Sequence, residues 1–170
     1  MSMTWNEYFM TFVFDAALKS KDELTKIGAI IVTPDNHIVS TGYNSFPTGI
    51  NDHFESRQQR PNKYFYMEHS ERNAIYAAAK KGIHTEKCVM YTMGMPCADC
   101  ARAIIQSGIK AVWISDRWER EALKEFSESW SDSRNAAKVM LDEAGVDVCV
   151  NHDMLNKKFF MRGKWHDEVS

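Results

Sequence analysis

An α/β sandwich around a five-stranded mixed sheet is the fold class this sequence predicts, and three observations point to it. Short apolar, β-branched runs alternate along the chain with longer stretches of helical period. The first two strand-like runs flank Pro34-Asp35-Asn36, a turn composition that joins them as a hairpin. The last two are separated by about thirty helical residues, which permits a parallel crossover and argues against a tight hairpin.

Taken in order, Trp5, Phe9, Phe12, Val13 and Ala16 share one face of an amphipathic helix over residues 5–18. Residues 27–32 and 37–43 form the hairpin strands. Residues 44–68 show no period and mix Gly, Pro, Asn, Arg and aromatics; a loop this long in a compact domain is functional or disordered. The alanine-rich stretch 69–81 is a strong helix former that closes with Lys80, Lys81 and then Gly82. Residues 87–93 read as a third strand, 98–107 as a helix closed by Gly108, and 111–115 as a fourth strand. Residues 118–144 read as helical with a break near Trp130-Ser131, and 146–150 as the fifth strand. The tail after Asn151 carries Phe159, Phe160 and Trp165 among charges, with no evident role. No repeat, low-complexity tract or linker divides the chain, so residues 1–170 are expected to form one domain.

A chain of 170 residues, 44% hydrophobic and 26% charged, buries roughly two-thirds of its unfolded surface and needs no staple to hold its core. Any bound metal is therefore free to serve chemistry. Lysine plus arginine (21) nearly balance aspartate plus glutamate (23), for a formal charge of −2. That balance disfavours a long nucleic acid as partner, since gripping a phosphate backbone calls for a basic excess. A small nucleotide asks for only one or two cations. The start Met1-Ser2-Met3-Thr4 lacks signal-peptide character, and no apolar run approaches the ~20 residues of a membrane span. Two of the four cysteines stand as Cys-x-x-Cys, which favours metal binding in a reducing compartment over a disulfide framework. A cytoplasmic protein is expected.

Two motifs carry the chemistry. His69-Ser70-Glu71 opens the alanine-rich helix, and Pro96-Cys97-Ala98-Asp99-Cys100 lies between a strand and the next helix. Zinc accepts imidazole nitrogen and thiolate sulfur, and a catalytic site keeps one position open for water. Cys97 and Cys100 are spaced to converge on one ion, and the positive end of a helix favours their thiolates. His69 supplies a third ligand from the neighbouring helix start. Glu71, two residues on, faces the open position from the first turn as a proton shuttle and is not a ligand. Two rival readings stand beside this one. A closed structural site would recruit Cys88, Cys149 or another histidine as fourth ligand, although both cysteines sit among valines where a small buried residue is expected. A thioredoxin-type redox pair would leave the histidine and glutamate unexplained.

Together, the two motifs match the His-x-Glu and Pro-Cys-x-x-Cys signature of the cytidine/deoxycytidylate deaminase superfamily. The wider text resembles its deoxycytidylate deaminase branch through Ser20-Lys21-Asp22, the run Lys26-Ile27-Gly28-Ala29-Ile30-Ile31-Val32, Gly42-Tyr43-Asn44, the run Glu68-His69-Ser70-Glu71-Arg72-Asn73-Ala74-Ile75, and residues 96–108. The resemblance covers about residues 4–117. It implies a three-layer α/β/α fold, bound zinc, a homo-oligomer with a hexamer favoured, and hydrolysis of dCMP to dUMP and ammonia, which supplies dUMP for thymidylate synthesis. It also implies that Asn44 hydrogen-bonds the sugar, that Ser70 and Pro96 contact the substrate, and that Arg117 and Trp118, at the end of the fourth strand, reach the phosphate and the base. Ser70 stands where alanine is commonest in the family, and Ser45-Phe46 where many relatives have glycine first. No cysteine set answers to the second, structural zinc of some relatives.

Several residues carry a plainer reading as well. Asn44 follows a strand, as a turn asparagine does. Arg57, Arg60 and Lys63 are read as solvating a loop, and Tyr64, Phe65 and Tyr66 as either pocket or packing residues. His37, His53, His84 and His152 lack partners at ligand spacing. The rivals to dCMP are another cytosine-type nucleotide, a nucleoside or a tRNA base. From a different class, the rival is a non-enzymatic zinc-stabilised interaction module.

Overall fold

The computed structural model describes residues 2–125, 128–152 and 157–166. Helix α1 (Trp5–Ala17) starts at a capping box, in which the Thr4 side chain accepts from the Glu7 amide while the Glu7 carboxylate accepts from Thr4. Strands β1 (Gly28–Val32) and β2 (Ile38–Tyr43) form the expected hairpin. The long connection after Asn44 contains two single-turn helices, α2 (Glu55–Gln58) and α3 (Lys63–Tyr66), and is pinched at its base by a Ser45–Glu68 bridge. Helix α4 (Ser70–Lys80), strand β3 (Val89–Thr92), helix α5 (Ala98–Gln106) and strand β4 (Ala111–Ser115) follow. Then come α6 (Asp116–Glu125), α7 (Glu128–Glu143) and β5 (Asp147–Asn151). The helical stretch is divided, as expected, a few residues before Trp130, which lies in the first turn of α7. The junction between the two helices lies outside the described residues.

The five strands are ordered β2-β1-β3-β4-β5. β1 is antiparallel to both β2 and β3, whereas β3, β4 and β5 run parallel through helical crossovers. Side-chain alternation gives the sheet two cores. Ile30, Val32 and Tyr91 face α1 together with Phe9, Val13, Trp118 and Ala122. Ala29, Ile31, Met90 and Val112 face the other way, with Ala74 of α4, Ile104 of α5 and Leu141 of α7. This is the three-layer α/β/α sandwich. Among the described residues no helix is long and apolar enough to cross a membrane.

The tail acquires a role that the sequence did not reveal. β6 (Phe159–Met161) and β7 (Lys164–His166) form a second, two-stranded sheet. It buries Phe159 and Met161 in the α1-side core. Its backbone is bonded to the segment that precedes β1: the Lys26 amide donates to the Phe160 carbonyl (3.0 Å), and the Gly163 amide to the Leu24 carbonyl (2.8 Å).

Two glycines set how closely helices lie on the sheet. A methyl group built on Gly28 would meet the Val13 carbonyl oxygen of α1 at 2.0 Å, and one on Gly42 would meet the Ser70 carbonyl oxygen of α4 at 2.1 Å. Helix α4 is thereby seated on the backbone of β2, and Asn73 locks it there by donating to the Tyr43 carbonyl (2.8 Å) and to Ser45 Oγ (3.1 Å). Gly42→Ala is expected to destabilise the protein by at least the ~1–3 kcal/mol typical of overpacking, because the obstacle is backbone. Chemical denaturation, read beside metal retention, checks this; both should fall, since Ser70 adjoins the site.

Candidate metal centre and cleft

Two helix starts meet at the site. His69 is the N-cap of α4 and Cys97 the N-cap of α5; both have extended backbone, and neither caps its helix with its own side chain. Other groups do that work. The Glu68 carboxylate accepts from the His69 amide (2.9 Å), and Ser133 Oγ of α7 accepts from the Ala98 amide (3.0 Å). Arg72 bridges the elements through ion pairs to Glu68 and to Asp99 (3.4 Å). The imidazole and the thiol are left free to point inward.

They converge. His69 Nδ1 lies 3.4 Å from Cys97 Sγ and 3.5 Å from Cys100 Sγ, and the three donor atoms fall within 4.8 Å of one another. The hydrogen bond from the Cys100 thiol, helped by His69, pushes the Cys97 thiol down to about 4 against the effect of burial. The proton of the pair stays on Cys100, whose thiol is raised by the same bond, by burial and by the nearby Glu71 carboxylate. Burial pulls His69 down, but the bond to Cys97 and the charges of Glu71 and Cys97 outweigh it and hold the imidazole above its ordinary value. One nitrogen and two sulfurs, one of them held toward the thiolate form, fit zinc as a three-ligand site with a position left over. Cys88 is buried with Sγ 3.9 Å from the His84 carbonyl, and Cys149 sits on β5; neither joins the cluster.

The centre opens into a cleft of about 390 Å³. Glu71 lines it at 6% exposure, and the fully buried Ser70 donates to Glu71 Oε2 at 2.9 Å. Trp118 also lines it, its ring pressed so close to Gly94 that a methyl there would meet it at 2.1 Å. Asn44 lines the wall with its amide engaged. Nδ2 donates to the Thr25 carbonyl (2.8 Å) and to Asp22 (2.9 Å), and Oδ1 accepts from the Ile27 amide (2.8 Å). One lone pair of Oδ1 remains to accept a further hydrogen bond. Pro96 is buried and does not line the cleft. Its neighbour Met95 does, held by a bond from its amide to Glu119 (3.0 Å).

Arg117 is elsewhere, which corrects the expectation that it faces a phosphate. Its guanidinium donates to the carbonyls of Lys157 (2.6 Å) and His166 (3.3 Å) and lies 5.2 Å from the centre of the Phe159 ring. It clasps the tail. The reading of Lys63 as a loop-solvating residue also falls, because it is buried against Asp22 in the cleft wall. Sequence reasoning missed Trp130, Ser133 and Arg134 of α7 as cleft residues; Trp130 stacks on the His69 ring with centroids 6.1 Å apart. An amphipathic helix carries no local sign that its first turns will cover a site formed by two other helices.

A family model described as the zinc-binding region of cytidine and deoxycytidylate deaminases matches residues 3–116. The deoxycytidylate deaminase of Homo sapiens is 37% identical over 150 residues, spanning 85% of this chain and 78% of the human protein. That of Pongo abelii matches with the same identity and coverage. Among solved structures, the dCMP deaminase of cyanophage S-TIM5 in complex with dCMP and dUMP is similar at a TM-score of 0.68 and 23% identity. That match covers 89% of this chain and 99% of the phage chain, a likeness of fold.

Replacing Cys97 or Cys100 by alanine is expected to abolish zinc retention, whereas Cys88→Ala and Cys149→Ala should retain the metal; elemental analysis of the four purified variants decides. For Arg117→Ala the expected loss is roughly 1.5–3 kcal/mol of stability from charge-assisted bonds to the tail, with nucleotide and nucleoside substrates affected alike. Denaturation curves and parallel steady-state kinetics read the two halves of that expectation.

Proposed function

Because this chain belongs to the cytidine and deoxycytidylate deaminase family, we propose that it hydrolyses dCMP to dUMP and ammonia with zinc held by His69, Cys97 and Cys100. The observation that carries the reading is the buried carboxylate of Glu71 lining the same cleft as His69 and Cys97, two of the three converging metal donors. A structural zinc module has no use for such a group beside its metal.

Bound at these donors, zinc supplies the Lewis acidity that makes water a nucleophile near neutral pH. The chain's own residues do the rest. The Ser70 hydroxyl occupies Oε2 of Glu71, which orients the carboxylate and leaves Oε1 to exchange protons. Glu71 takes a proton from the attacking water and passes it to N3 of the cytosine ring, which makes C4 electrophilic. It then carries the second proton of that water to the amino group as ammonia leaves. The base lies between the metal centre and the aromatic wall that Trp118 contributes. The sugar meets Asn44, whose Oδ1 has a lone pair left to accept from a hydroxyl. Asn44 is thus a fixed acceptor, held by Asp22, Thr25 and Ile27.

Incubation with a panel of cytosine nucleosides and nucleotides, scored by ammonia release, tests the reading; turnover of none of them would overturn it. Glu71→Ala is expected to lower kcat by at least ~10²–10⁴-fold while zinc stays at about one per chain. Loss of metal from this variant would place Glu71 among the ligands and remove it from the proton-transfer role.

A further inference from the structure

The cleft is lined by four cationic side chains, Arg60, Lys63, Arg72 and Arg134. Three of them are committed. Lys63 pairs with Asp22, Arg72 with Glu68 and Asp99, and Arg134 with Glu119. Asp99 is exposed, but the pairs with Asp22, Glu68 and Glu119 are at most lightly so, and each of these three carboxylates has a further structural bond. Asp22 holds Asn44 and the Leu24 amide, Glu68 holds the His69 amide, and Glu119 holds the Met95 amide. Drawing any of these cations onto a ligand would strand a carboxylate that the site needs in place.

Arg60 differs from them. No carboxylate among the described residues pairs with it, and its recorded contact is the face of Tyr64, also a cleft residue, at 5.7 Å. It is exposed, so its charge stays hydrated until a ligand arrives. It is nonetheless well placed, because three residues on, the backbone is anchored by the Lys63–Asp22 pair and by the Lys63 amide donating to the Gln59 carbonyl (2.9 Å). On the reading of the cleft as a nucleotide site, we propose that Arg60 is the specificity residue that receives the 5′-phosphate and separates nucleotide from nucleoside. A guanidinium suits the task, since it offers paired, charge-assisted hydrogen bonds to two phosphate oxygens.

The test compares dCMP with deoxycytidine in the full-length zinc enzyme. Arg60→Ala is expected to lower kcat/KM for dCMP ten- to a hundredfold more than for deoxycytidine, chiefly through KM, a range set by roughly one or two hydrogen bonds to a charged group. Arg60→Lys should recover part of the loss. Arg57→Ala removes a cation of the same connection that lies outside the cleft and bonds the Asn51 carbonyl; it should leave the use of dCMP unchanged. An equal effect of Arg60→Ala on both substrates, or none on either, would overturn the proposal. Wild-type protein inert toward dCMP would instead overturn dCMP as the substrate. Calorimetric binding of dCMP and deoxycytidine to wild type and Arg60→Ala still decides the phosphate contact in that case, since it needs no turnover.

Discussion

The seating of α4 on the backbone of β2 is the contact from which the rest of the site follows. Gly42 removes the one side chain that would hold the helix off, and Asn73 ties the helix to Tyr43 and Ser45 at the end of the strand. His69, Ser70 and Glu71 occupy the first residues of that helix, so their positions are fixed by a backbone-to-backbone approach with little give. Native packing density leaves no room for such a contact to drift. The base of the long 44–68 connection is set by the same contact, because Ser45 both bonds Asn73 and bridges to Glu68. Glu68 in turn holds the His69 amide and Arg72, and Arg72 reaches Asp99 beside the cysteines. A single close approach thus positions the histidine, the carboxylate and, through Arg72, the second ligand-bearing helix.

The cleft wall opposite these helix starts is built by a different route. Asp22, Thr25, Ile27 and Asn44 form one hydrogen-bonded knot, and Lys63 closes it electrostatically. The knot is braced from behind by the tail, whose backbone bonds Leu24 and Lys26 and whose Arg162 amide donates to Thr25 Oγ1. Arg117 holds that tail in turn. Distance along the chain has no bearing on the dependence: residues 159–166 support a wall made by residues 22–27.

Much of this was legible in the amino-acid sequence, and what was not has a physical reason. The hairpin, the parallel crossover between the last two strands of the main sheet and the two helix starts are written in local periodicity, turn composition and connection length. The metal donors follow from ligand chemistry and spacing. Arg117 was misassigned because its place after a strand end suits either a ligand contact or a tertiary clasp, and only the fold of the tail separates the two. The tail itself has strands of three residues, too short for alternation to register. Lys63 looks like surface because lysine mostly is; its burial depends on Asp22, forty-one residues earlier.

The donor geometry also bears on whether the metal serves structure or chemistry. In a zinc-stabilised module the ion organises its ligands, because little else does. Here His69 is held by Glu68 and by the seating of α4, Cys97 by the start of α5 and its Ser133 cap, and Cys100 lies fully buried one turn on. An imidazole nitrogen and two sulfurs lie within 4.8 Å of one another, on helix starts braced by hydrogen bonds between protein groups. Elements braced by protein groups in this way do not rely on an ion to bring them together, so a metal held there can leave one position open. Glu71, buried with its carboxylate oriented by Ser70, stands in the same cleft where an open position is of use. Preorganisation of this kind belongs to catalysis, where groups must be in place before the charge they stabilise develops.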